Sequence, residues 1–220
     1  GKLPTPEEVD RFIADSHPNR RAKLIDSLLE RPEYVDFWTY RWSDLLLISS
    51  RKLSQPAMRS FHRFVRQSVA ADKPWDRFSR EILTARGSNL HNGQVNYFLL
   101  HKEITALTEA TAVTFLGMSI TCARCHNHPM EKWTQDEYWA MANLFGRIAI
   151  RNGDRPGEVT LRSTKEGDVM HPRLGMPMPP APLDGKPIGR GSEDRASDEP
   201  ADLRSAATRD RREYFADWLT

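Results

Sequence analysis

A mostly α fold is predicted, an irregular helical bundle, and three observations carry it. Apolar residues recur at helical spacing from the start to about residue 148, two Thr-x-x-Glu capping boxes mark helix starts, and Pro and Gly take over after Gly146. Thr5-Pro6-Glu7-Glu8 begins the first helix, with threonine as N-cap, proline in the first turn, and Val9, Phe12 and Ile13 on one face. Leu24, Ile25, Leu28 and Leu29 give a second helix that stops near Pro32. Tyr34, Phe37, Trp38, Trp42, Leu45 and Leu46 fit a third; aromatics at helical spacing are most often core, so Trp38 and Trp42 are assigned to the interior. Ser54 caps a fourth helix that turns Met58, Phe61, Val65 and Val69 inward, and a short amphipathic piece with Trp75, Phe78, Ile82 and Leu83 follows Pro74.

Residues 86–97, rich in Gly, Asn and His, read as a loop. From Ile104 to about Met118 the positions of Leu107, Ala110, Val113, Thr114 and Phe115 are helical, with Gly117 as the stop. Thr134-Gln135-Asp136-Glu137 opens a helix carrying Tyr138, Met141, Ala142 and Phe145. Beyond Gly146 the prolines forbid a long helix; Glu158-Val159-Thr160-Leu161 reads as a short strand, in a hairpin with residues around 168–170. The organisation expected is a helical domain over 1–150, a Pro/Gly-rich segment over 151–189 packed on the motif described next, a charged linker over 190–210, and the start of a following domain at 211–220.

Between the two helices that end near Met118 and begin at Thr134 lie the only cysteines of the 220 residues, in Cys122-Ala123-Arg124-Cys125-His126. C-x-x-C-H is the attachment signature of a c-type haem: two thiols three positions apart can each form a thioether to a vinyl group, and the next imidazole ligates the iron. His126 is the proximal ligand on this reading. Other readings remain. A bare C-x-x-C also fits a redox dithiol, although no βαβ pattern surrounds it, and Cys122, Cys125, His126 and His128 together offer four donors to zinc. The thiols can also be structural or form a disulfide.

The sixth iron position decides what a haem here would do, because a strong ligand gives an electron-transfer centre whereas an open position admits small molecules. His171 is the leading distal candidate, followed by Met176, Met178 and Met170, all on rigid extended backbone. His128 lies too near His126 to reach the opposite iron face and is expected to orient the loop or to hydrogen-bond a propionate. His62, His91 and His101 are weaker candidates. Arg124 and Lys132 are candidates to pair with haem propionates, or are ordinary surface charges. Trp133, Tyr138, Trp139 and Phe145 line a haem pocket or are plain core.

The formal charge of +2 from 32 basic and 30 acidic side chains leaves no footprint for nucleic acid. No apolar run approaches the ~20 residues of a membrane span. Haem attachment at such a motif takes place outside the cytoplasm, so an exported or periplasmic location, with a leader upstream, is expected. Three functions remain: electron transfer with a redox partner or an adjacent domain of the same polypeptide, a haem-dependent oxidoreductase on an extracellular substrate such as a carbohydrate, or a zinc-stapled interaction domain.

Thr108-Glu109 through Phe115-Leu116-Gly117, then Cys122 to Pro129, then Trp133 to Tyr138, resemble the second of the planctomycete-specific cytochrome domains, a cytochrome-related family of unknown function. Pro4 to Val9, Glu158-Val159 with His171-Pro172-Arg173, and Arg212 to Leu219 extend the resemblance, the last to the opening of the partner domain that usually follows. Met130 stands where an aromatic is common in the family. The resemblance implies an exported multidomain protein, with Cys122 and Cys125 as attachment thiols and His126 as proximal ligand. It implies no settled activity.

Overall fold

Both capping boxes form. Thr5 N–H donates to Glu8 Oε2 at 2.9 Å while the Thr5 hydroxyl accepts from Glu8 N–H, and Thr134 and Glu137 repeat the exchange. The computed structural model describes residues 2–188 and 210–220. Its helices are α1 (Pro6–Ala14), α2 (Arg20–Leu29), α3 (Pro32–Leu45), α4 (Gln55–Ala70), α5 (Trp75–Leu83), α6 (Asn96–Leu100), α7 (Ile104–Thr111), α8 (Gln135–Ala142) and α9 (Arg211–Leu219). The mostly helical class therefore holds. Pro at the first turn of α1, α3 and α4, where the missing N–H costs nothing, explains why these helices start where they do.

One core joins Phe61 and Val65 of α4, Ile82 and Leu83 of α5, Tyr97 and Phe98 of α6, Leu107 of α7, Tyr138 and Met141 of α8, and Phe215 of α9. In contrast, α1 and α2 bury no residue, and Val9, Ile13, Ile25 and Leu28 stay exposed. Both are helical as their amphipathic pattern predicts, and Val9, Phe12, Leu24 and Leu28 line one open cavity that the two helices share. Helix α4 ends in a Schellman turn, with Lys73 N–H donating to Ser68 O at 2.9 Å and Asp72 N–H to Val69 O at 3.1 Å. Asp72 takes the left-handed position, φ 45°, that glycine usually fills.

The expected loop over 86–97 is ordered structure. It holds β1 (Gly87–Ser88), a 3₁₀ turn (Gly93–Val95) and the first two residues of the wholly buried α6. Polarity misled here because the asparagines are interior cross-links: Asn96 Nδ2 donates to Asn89 O and Gly93 O, each at 2.9 Å, and Asn89 Oδ1 accepts from Val159 N–H at 2.9 Å. The short strand around 159 is present as β3 (Val159–Ser163), but its hairpin partner is β2 (Ile148–Asn152), with Ile150 opposite Leu161. Residues 168–170 instead contribute one isolated bridge, Met170 to Pro177. The sheet order is β1-β3-β2, all antiparallel, so β2 runs through residue 150, where the helical part was expected to end. Ile148-Ala149-Ile150 is too short to distinguish strand from helix by period.

The segment expected to open a following domain is built into this core. Phe215 packs edge-on against Phe145 at 5.7 Å, and α9 lies against α5 with Arg80 paired to Asp217 at 2.7 Å. The linker expected over 190–210 lies outside the described residues up to 209, and Asp210 is the N-cap of α9.

His101, at the end of α6, is buried edge-on against Tyr97 at 5.2 Å. Burial, with the nearby Lys52 charge, pushes its pKa down to about 4 from an ordinary 6.5. The folded imidazole stays neutral while the unfolded one gains a proton below about pH 6.5, so folding stability is full above that pH. It is expected to fall by roughly 2–3 kcal/mol between pH 6.5 and 4. Urea unfolding of the native chain and of His101→Gln across this window checks it: the variant should lack that slope.

Candidate functional site

Helix α7 runs into a π turn (Ala112–Leu116) that Gly117 closes at φ 68°, a conformation in which a side chain would be strained. The chain re-enters order as a 3₁₀ turn over Thr121–Arg124. Ala123 is buried and its N–H donates to Ile120 O at 2.9 Å, which holds the turn down on the core. Cys122 and Cys125, on either side of it, are exposed and unlinked to each other. Cys125 N–H and His126 N–H both point at Cys122 O, at 3.3 and 3.4 Å, so the pentapeptide is one compact turn.

Helix α8 fixes that turn. The Arg124 carbonyl accepts from Gln135 Nε2 at 3.1 Å and from Trp139 Nε1 at 3.2 Å, and Asn127 Oδ1 accepts from Gln135 N–H at 3.0 Å. Across the turn, Tyr138 donates its hydroxyl to Glu109 Oε1 on α7 at 2.9 Å. Burial and that carboxylate push the Tyr138 phenol well above its ordinary pKa, so it stays a neutral donor. Glu109 also lies 3.9 Å from the Arg124 guanidinium.

Three histidines of the region are distinguished by what their Nδ1 does. His126 Nδ1 lies 2.7 Å from the Asn127 carbonyl, which can only accept; Nδ1 therefore donates, and in the neutral ring the lone pair falls on Nε2. His128 Nδ1 instead accepts from Met130 N–H at 3.2 Å and Glu131 N–H at 3.0 Å, which places its proton on Nε2. His128 thus braces the turn over Met130 and Glu131. His171 repeats this arrangement: fully buried, its Nδ1 accepts from Arg173 N–H and Leu174 N–H, each at 3.2 Å. Its Nε2 lies 3.1 Å from Asp136 Oδ1, close enough for attraction though not aligned as a hydrogen bond. The Nδ1 lone pair of the leading distal candidate thus accepts two backbone N–H groups, and its Nε2 is buried beside Asp136.

An open cleft of about 880 Å³ lies beside the turn, lined by Arg124, Cys125, His126, Asn127, Gln135, Trp139, Pro172 and Arg173. Its volume is within the roughly 300–1,000 Å³ of ligand pockets. Met170, Met176 and Met178 do not line it; Met178 packs against the core and the other two are exposed. Lys132 is outside it too, paired with Asp184 and set over the Trp133 ring at 4.9 Å. His62 and His91 are exposed elsewhere. Arg173 is the cationic group that the sequence reading passed over; the signal was its place beside His171-Pro172. Trp139 lines the cleft, while Tyr138 and Phe145 are core.

The wall carrying Pro172 and Arg173 is held by Asn143. Its Nδ2 donates to Val169 O at 3.1 Å and Met178 O at 2.8 Å, and its Oδ1 accepts from Val169 N–H at 2.6 Å. Among the described residues, no three His, Cys, Asp or Glu side chains gather as a metal-ligand group, and His128 is already an acceptor. The four donors of the zinc alternative thus do not converge as they stand. Two outward thiols beside one imidazole with a free lone pair do fit the chemistry of covalent haem attachment.

A family model described as PSCyt2, a protein of unknown function (DUF1549), matches residues 1–149. Neither the curated proteins nor the solved structures contain a match. No helix among the described residues is long and apolar enough to cross a membrane.

Proposed function

Since the chain belongs to the PSCyt2 family of cytochrome-related domains, we propose that it is a c-type haem-binding domain of an exported multidomain protein, passing electrons to a partner or an adjacent domain. Cys122 and Cys125 would carry the thioethers and His126 the proximal bond. The observation that supports this best is the His126 ring, whose Nδ1–H is held by the Asn127 carbonyl so that Nε2 keeps its lone pair. A haem bound there supplies one-electron chemistry. The residues of this chain hold and orient: Gln135 and Trp139 pin the turn through the Arg124 carbonyl, and Arg124 and Arg173 offer cations to propionates at the cleft. The open cleft leaves the group within reach of a redox partner.

One observation favours a second reading, haem-dependent oxidation of a small substrate. None of His171, Met170, Met176 and Met178 lines the cleft, so an exchangeable sixth position is consistent with the side chains present.

Protein matured in an export-competent host should give a pyridine haemochrome spectrum of a covalent haem with one haem per chain. In Cys122→Ser/Cys125→Ser the covalent signal should vanish. Stoichiometric zinc without covalent haem in the native protein would overturn the proposal. A ferric spectrum unchanged by cyanide would support electron transfer, and a high-spin spectrum that shifts would support the second reading.

A further inference from the structure

Trp38 and Trp42, assigned to the interior on spacing, line a second cleft remote in sequence from the cysteines. Tyr34, Trp38 and Trp42 of α3, Ser68 and Val69 of α4, Asp72 and Lys73 of the following turn, and Trp75 and Phe78 of α5 enclose about 260 Å³. Trp38 and Trp75 are 41% and 42% exposed, which a plain core does not require. Trp42 stacks on Trp75 with centroids 5.1 Å apart and planes at 24°, and Trp75 packs on Phe115 at 5.8 Å, so the indoles form a braced wall.

The polar groups of that wall narrow the ligand. Ser68 is 3% exposed, yet its hydroxyl has no hydrogen-bond partner among the described residues, although a buried hydroxyl normally has one. Asp72 lines the cleft from a left-handed backbone position, φ 45°, that glycine would occupy with less strain. Lys73 is paired with Glu81 at 2.6 Å and lies 4.9 Å from the Phe64 ring centre. A cationic ligand drawn to the indoles would meet that ammonium group, and an anionic one would meet Asp72. Electron-rich ring faces beside uncommitted hydrogen-bonding groups suit a neutral ligand with polarised C–H bonds on one face and hydroxyls at its edge.

We propose that this cleft binds one ring of a neutral saccharide. The indoles take its C–H face, and the Ser68 hydroxyl and Asp72 carboxylate take its hydroxyls. The volume, below the usual ligand-pocket range, admits a single ring and leaves the rest of a chain in solvent. No residue is shared with the cysteine cleft, so the inference stands whatever that site binds.

The full chain is titrated with cellohexaose, xylohexaose and mannohexaose, with choline chloride as a cationic probe, reading tryptophan fluorescence and indole N–H shifts. At least one hexaose should saturate, with half-saturation at about 1 mM or below. Trp38→Ala and Trp75→Ala should each weaken it about tenfold or more, and Ser68→Ala about fivefold. Ser68→Ala removes a hydroxyl that bonds nothing among the described residues, so its unfolding midpoint should not fall, which separates ligand loss from misfolding if Trp75→Ala is unstable. Absence of saturation with all three sugars, a response retained in both tryptophan variants, or saturation by choline alone would overturn the proposal.

Discussion

Arg212→Ala is expected to destabilise the domain by about 3–5 kcal/mol, because it removes one member of a buried ion pair and leaves the other behind. Arg212 has no solvent exposure. Its Nε and Nη2 meet both Asp210 oxygens at 2.6–3.2 Å, its Nη1 donates to Ala85 O at 2.8 Å, and its guanidinium lies over Phe98 at 5.0 Å. Burial alone would raise the Asp210 pKa, but the hydrogen bonds and charge of Arg212 prevail and hold it below the usual value of 3.8. That carboxylate therefore adds stability above about pH 3.8, which is lost as pH falls through its folded pKa, a window below that of His101. Denaturant unfolding near neutral pH measures the loss. A loss under about 1 kcal/mol would mean that Arg86, 3.2 Å from Asp210, takes over as the partner.

Asn143→Ala should cost about 2–4 kcal/mol, since it strips the partners from Val169 N–H and O and from Met178 O at a buried position. The effect is also local. Backbone amides of residues 168–178 should lose hydrogen-exchange protection before those of α4 do, since Asn143 ties that segment to the end of α8. Asn143→Asp keeps the acceptor for Val169 N–H but sets a carboxylate oxygen against the Val169 and Met178 carbonyls at a fully buried position, and should cost no less than the alanine. Equal loss of protection throughout would show that the segment is held by its other contacts.

Much of the fold is legible in the residues because local rules and packing agree there. Thr5 and Thr134 cap as their spacing requires, Pro sits in first turns, and Gly117 ends the helix before the motif. Where the reading failed, a long-range partner decided. The asparagines of 86–97 look like loop residues, and only their bonds to Val159 and Gly157 make them interior. The strand at 148–152 is fixed by its partner at 159–163. Trp38 was placed inside by period, but period gives a face and does not say whether anything covers it.

The cysteine site was legible as a list of donors and illegible as a set of protonation states. Sequence places His126, His128 and His171 alike as ligand types. It takes the Asn127 carbonyl, the amides of Met130 and Glu131, and those of Arg173 and Leu174 to decide which ring keeps a lone pair. Arg173 and Asn143 were missed for a related reason: each matters through a position in space that no nearby motif announces.

The last helix has a consequence for how the chain is made. Arg212 meets Ala85 across 127 positions and Arg80 meets Thr220 across 140, so the groove beside α5 closes through contacts of very high sequence separation. During synthesis the earlier helices must wait, with the seat of Phe215 open to solvent, until α9 has emerged. Closure of that seam is then the natural late event in folding, and thiols on a surface turn between α7 and α8 stay within reach both before and after it.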